Sequence, residues 1–68
     1  MSTEAVALVI TQAGSQTALA KALGVKQPVI AHWKRKGWMP LPRAVQCEQM
    51  YGVSKLDLVK PSIREALQ

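Results

Sequence analysis

The sequence predicts a small all-α domain of about five short helices, and three observations carry that prediction. Apolar residues recur three and four apart in several short runs, the spacing of one buried helix face. Glycines and prolines fall between those runs rather than inside them. No run reads as a strand, and there is no internal repeat, linker or low-complexity tract. A chain of 68 residues has room for one domain, spanning 1–68. Such a domain buries only about 60% of its unfolded surface, so its core must be used economically.

The first helix is expected to start near Thr3 or Glu4, with Ser2 or Thr3 as its cap, and to run to about Ala13. Val6, Val9, Ile10 and Ala13 mark its inward face. Gly14 ends it, and Ser15 caps a second helix that runs to Leu23, with Leu19, Ala20 and Leu23 turned inward. Gly24 can take the left-handed backbone that ends a helix without a Cβ penalty. Val25 plugs the turn, and Pro28 sits where a third helix begins, since its missing N–H would be unpaired there anyway. That helix runs from about Pro28 to Lys36, with Ile30 and Trp33 pointing back at the second. Gly37 terminates it, and Lys34, Arg35 and Lys36 in its last turn suit the helix dipole.

Trp38-Met39-Pro40-Leu41-Pro42 reads as an extended connector, because two prolines exclude a helix interior. It lets Met39 or Leu41 reach the core, while Trp38 is either half-buried against the third helix or exposed as a partner contact. A fourth helix is expected to open with Pro42 and end at Gly52, with Ala44, Cys47 and Tyr51 on one face. Ser54-Lys55-Leu56-Asp57 resembles a capping box at the start of a last short helix, which Pro61 limits. The tail 62–68 has weak helical character and is expected to fray.

The net charge of +5 is unevenly spread. Lys21, Lys26, Lys34, Arg35, Lys36 and Arg43 fall between Gln16 and Arg43, and no acidic residue interrupts them. Glu4, Glu48, Asp57 and Glu65 all lie outside that segment. A positive field centred on the second and third helices is what a polyanion-binding protein requires; the bland alternative is a solvated basic face. The single cysteine, Cys47, rules out an internal disulfide and points to a reducing compartment. The apolar run Ala5–Ile10 is too short to span a membrane. It follows Glu4 rather than a basic segment and has no cleavage site, so a cytoplasmic location is expected.

Residues 16–37 together have the form of a helix-turn-helix. The stripe left facing outward is Gln27, Pro28, Ala31, His32 and Arg35, a short, polar and basic surface that fits a DNA major groove. The segment resembles the helix-turn-helix of phage Cro-type repressors and of YdaS-like antitoxins. The shared features are the Gln16-Thr17 opening, Ala20-Lys21-Ala22-Leu23-Gly24-Val25, Gln27 at the next helix start, and Trp33-Lys34-Arg35-Lys36-Gly37. The similarity continues more loosely through Met39-Pro40, Cys47-Glu48 and Gly52-Val53-Ser54, and so covers roughly residues 13–60. It implies a lambda-repressor-like DNA-binding fold, and the residues after Gly52 favour the all-helical type. The apolar, proline-bounded connector after Gly37 departs from most relatives.

In that family the start of the motif's second helix reads bases, and the matching positions are Lys26, Gln27 and Pro28, then Ala31 and His32, with Arg35 beyond. Gln27 is the leading candidate for base readout, because its amide donates and accepts at once and suits the paired edge atoms of adenine. Its alternative is a surface residue capping the helix. Pro28 and Ala31 would allow close approach and contact with a thymine methyl, or are simply good residues for their helical positions. His32 could donate to a base or phosphate, or be merely solvated. Arg35 can reach a guanine or, being farther from the helix start, a phosphate. Lys26 and Lys34 are expected at phosphates, as are Gln16 and Thr17 at the N-terminus of the preceding helix. Lys36 and Arg43 are weaker phosphate candidates.

Cys47 has no nearby His or second Cys, so neither a nucleophile nor a metal site is expected, and nothing assembles a catalytic constellation. Glu48 is expected to pair with a basic neighbour or cap backbone. The sequence therefore favours a DNA-binding regulator without cofactor or small-molecule substrate. Resemblance to the Cro type implies repression by occlusion at a pseudo-palindromic operator. A two-fold operator needs two copies, yet the short helices offer no obvious dimerisation stripe, so a weak dimer or one formed on DNA is expected. The rival is an antitoxin or other protein-interaction module relying on Trp38, Leu41 and the tail. A third reading is a non-specific binder; its single-stranded form is disfavoured, since stacking grooves use several exposed aromatics.

Overall fold

Glycine and proline positions become the joints of the observed architecture. The computed structural model describes residues 2–68, with side chains from Ala5 onward. They form α1 (Ser2–Ala13), α2 (Gln16–Leu23), α3 (Gln27–Lys36), α4 (Leu41–Tyr51), α5 (Lys55–Leu58) and α6 (Pro61–Leu67), with no strand among the described residues. Helix α1 takes in Ser2 and Thr3, so it begins slightly earlier than the spacing suggested. The cap expected at Ser2 or Thr3 falls on side chains outside the described ones.

The α2–turn–α3 unit follows its local chemistry. Ser15 is extended, and its Oγ accepts the Ala18 N–H at 3.0 Å, satisfying one of the orphan donors at the start of α2. At the other end Gly24 takes φ 74°, and its N–H reaches the Lys21 carbonyl while the Val25 N–H reaches the Ala20 carbonyl. That pair of bonds is a Schellman ending, and the half-buried Val25 supplies its apolar contact. Helix α3 then starts at Gln27 with Pro28 in its first turn, one residue earlier than Pro28 alone suggested. No side chain caps it, so Gln27 does not spend its amide that way.

The connector is shorter than expected. Only Gly37–Pro40 separate α3 from α4, and Leu41 and Pro42 already belong to α4, whose N-cap is the extended Pro40. Pro42 is tolerated because first-turn N–H groups have no intrahelical partner to lose. Met39, not Leu41, is the fully buried residue, and its N–H donates to the Leu58 carbonyl at 2.8 Å. That bond fastens the connector to the C-terminal part of the chain.

The core is one cluster. Val6 and Val9 of α1, Leu19 and Leu23 of α2, and Ile30 and Trp33 of α3 meet Met39, Ala44, Cys47, Leu58 and Val59. The expected inward faces of the first four helices are thereby found, with Ile10, Ala13 and Tyr51 half-buried at its margin. Two corrections fall in the C-terminal third. Ser54 does cap α5, through Oγ to the Leu56 N–H at 3.2 Å. The Asp57 carboxylate, however, turns to Arg64 at 3.4 Å instead of completing a capping box. Pro61 opens a sixth helix rather than merely closing the fifth, and Ile63 packs against the core, so 62–67 are helical where fraying was expected. Glu48 both pairs with Lys55 Nζ at 4.0 Å and accepts the Lys55 N–H at 2.9 Å, joining α4 to α5.

Candidate nucleic-acid interface

With Ile30 and Trp33 of α3 buried, 3.6 residues per turn place Pro28, Ala31, His32 and Arg35 on the opposite side. Pro28, His32 and Arg35 are exposed, and Ala31 is half-buried. Gln27 and Lys34 lie on one flank of this stripe, and Val29 and Lys36 on the other. Val29 is an exposed apolar residue on this helix that the sequence reading did not single out.

Two side-chain contacts organise the surface. Gln27 Nε2 donates to Gln16 Oε1 at 2.8 Å, joining the first residue of α3 to the first residue of α2. The contact fixes the direction of the Gln27 amide and leaves its oxygen and one N–H available. Arg35 Nη2 donates to His32 Nδ1 at 3.1 Å. Because a guanidinium can only donate, Nδ1 is the acceptor, and the neutral ring carries its proton on Nε2. One pair thus presents donor and acceptor together, and the other presents donors alone.

None of the basic residues of α3 is in an ion pair among the described residues. The two ion pairs among the described residues, Glu48–Lys55 and Asp57–Arg64, lie in the C-terminal third. Lys26, Lys34, Arg35 and Lys36 are exposed and pair with no carboxylate among the described residues, and the exposed Thr17 and half-buried Gln16 adjoin them at the start of α2. Arg43 is used differently. Half-buried, its Nη1 donates to the Leu23 carbonyl at 3.0 Å and to Gln46 Oε1 at 2.6 Å. It therefore closes the C-terminal end of α2 from α4, a structural task that a phosphate-seeking reading of its charge did not reveal. The N–H groups on its Nε and Nη2 make no bond in these contacts.

Cys47 is fully buried, and its Sγ lies 3.7 Å from Met39 Sδ as a weak donor. Burial pushes its thiol up from 9.0 to about 11, against a smaller opposing pull from the Arg43 charge. The folded protein thus keeps the thiol protonated where an unfolded chain would ionise. The stabilising difference is complete below pH 9 and is lost as pH rises from 9 to about 11. Alkylation by iodoacetamide at pH 8 is expected to be slow in the folded protein and fast in urea. Equal rates in the two conditions would contradict the buried placement.

No helix among the described residues is long and apolar enough to cross a membrane. Comparison with curated proteins and with solved structures finds no match. A family model does match, over residues 6–60, and its description is Bacterial toxin YdaS. The matched span runs from α1 through α5 and includes the whole of the α2–α3 unit. It agrees with the YdaS side of the resemblance seen in the residues, and it covers most of the chain. The chain belongs to the bacterial YdaS toxin family.

Proposed function

We propose that this protein is a sequence-specific double-stranded DNA-binding regulator, a Cro-type repressor that occludes a promoter by placing α3 in the major groove of a pseudo-palindromic operator. The observation that carries the reading is the Gln16–Gln27 amide pair set within an acid-free basic segment. The pair leaves Gln27 with one acceptor and one donor, the pattern that matches adenine N6 and N7. Pro28, Ala31, His32 and Arg35 offer the remaining base-facing surface; Gln16, Thr17, Lys26, Lys34 and Lys36 supply phosphate contacts, and Arg43 is a weaker phosphate candidate. Two copies would occupy the two half-sites, associating weakly or only on DNA. No cofactor enters this mechanism, no chemical step is required, and the cytoplasm is where such a protein would act.

The test is a fluorescence anisotropy titration at near-physiological salt, comparing a duplex from upstream of the protein's own gene with a scrambled duplex. Preference for the native duplex by about a thousandfold or more is expected. Equal binding would leave a non-specific binder or a protein-interaction module. In the same assay Lys34→Ala is expected to weaken both duplexes alike and to flatten the slope of log K against log salt by about one unit. An unchanged slope would remove Lys34 from the phosphate contacts.

The family description, which names a toxin, favours a second reading: a module whose target is a protein, with DNA binding secondary. An antitoxin would be one form of it. That module would keep its activity when Gln27 and His32 are replaced, and would lose it on changes at Trp38 or Leu41. Growth assays of the two sets of variants separate the readings.

A further inference from the structure

Three basic residues follow Arg43, and two of them are neutralised: Lys55 by Glu48 and Arg64 by Asp57. Lys60 has no carboxylate partner among the described residues. Its Nζ lies 5.5 Å from the centroid of the Trp38 ring, which also carries Lys36 Nζ at 4.4 Å. Two ammonium groups therefore share one half-buried indole.

Backbone bonds hold this arrangement in place. Before Trp38, the Gly37 N–H donates to the Trp33 carbonyl at 2.7 Å. After it, Met39 is buried and its N–H holds the Leu58 carbonyl, which draws the Leu58–Lys60 segment alongside the end of α3. Lys36 lies on the flank of α3 opposite Gln27 and Lys34. The cluster therefore continues the basic face beyond the helix, on the side away from Gln16 and α2. Contact with the ring attracts each ammonium but neutralises neither. Two like charges at one ring are best compensated by an anion between or beside them.

We infer that Lys36, Trp38 and Lys60 form a second phosphate-contacting site, which takes the sugar–phosphate backbone on the flank of α3 away from α2. The inference rests on the DNA-binding reading and deepens it. A major groove is bordered by two backbones; the start of α2 meets one, and this cluster meets the other. The C-terminal third of the chain thereby takes part in binding, through a lysine outside the helix-turn-helix.

The test compares the intact protein with Lys60→Ala and with Arg64→Ala, which removes the same charge from a neutralised position. Lys60 has no side-chain capping bond to lose, so the fold should survive its truncation. Lys60→Ala is expected to weaken native and scrambled duplexes equally and to flatten the salt slope by about one unit, while Arg64→Ala leaves the slope unchanged. Acrylamide quenching of the intact protein reports mainly Trp38, because Trp33 is only 5% exposed, and it is expected to fall when duplex is added. An unchanged slope for Lys60→Ala beside a flattened slope for Lys34→Ala would overturn this site and leave the DNA-binding reading standing. Equal effects of Lys60→Ala and Arg64→Ala would reduce it to net charge and overturn it too, as would quenching that duplex does not alter. Failure of the intact protein to bind any duplex would overturn both the site and the reading it rests on.

Discussion

Trp33→Ala is expected to destabilise the domain by about 3–5 kcal/mol, the range for truncating a buried aromatic residue. Helix α3 is anchored by only two buried side chains, Ile30 and Trp33, so removing the larger one leaves it attached by a single isoleucine and its turn. A chain of 68 residues has a total stability of about 3–10 kcal/mol at typical per-residue values. The variant should therefore be substantially unfolded at 37 °C. Each kcal/mol shifts Tm by about 4–8 °C at this size, so the loss should be unmistakable in a circular dichroism melt. Trp38→Ala is the informative contrast. Trp38 is half-buried and holds two lysines over its ring, contacts worth about 1 kcal/mol together at an exposed site. Similar melts for the two variants would mean that α3 is not anchored through Trp33.

That contrast also marks where the sequence was legible. Trp33 could be placed in the core because Ile30 lies three residues before it and the Gly24-Val25 turn fixes which face of α3 looks inward. Such signals lie within a few residues of one another, and the same is true of the Ser15 cap and the Gly37 stop. Trp38 could not be placed, because its surroundings come from Lys60, twenty-two residues further on, through the Met39–Leu58 backbone bond. The tail after Pro61 was misjudged for a related reason. Leu58 and Val59 are completely or almost completely buried, yet they sit at the end of a four-residue helix too short to show a periodic pattern. Only their contact with the rest of the core reveals them, and that contact also gives Ile63 a place to pack and α6 a reason to form. Arg43 illustrates the same limit at the surface. Its charge suggested a phosphate, while its bond to the Leu23 carbonyl, twenty residues earlier in the chain, was not readable from the sequence. At the candidate interface, residue types were readable one by one; the Gln16–Gln27 bond spans eleven residues and two helices, and was not.

Because of that bond, Gln27→Ala should do more than remove one polar side chain. With Nε2 committed to Gln16 Oε1, the amide of Gln27 has a fixed orientation, and its oxygen and remaining N–H are left as an acceptor–donor pair at an exposed position. Loss of a bidentate contact to adenine is expected to cost about 1–3 kcal/mol on the preferred duplex and little on a scrambled one. Preference should relax at one base pair per half-site rather than across the site, which an anisotropy series over singly substituted duplexes can read. Gln16→Ala has a different expected signature. It leaves the Gln27 amide present but free to rotate, so on the proposed reading specificity should fall in part, and affinity for every duplex should fall slightly with the proposed Gln16 phosphate contact. If orientation is what Gln16 contributes, the double variant should lose little more specificity than Gln27→Ala alone, giving a non-additive cycle. Additive losses would mean that the two residues contact DNA independently. Intact base preference in Gln27→Ala would move readout to His32 and Arg35, whose donors would then have to do it without a paired acceptor.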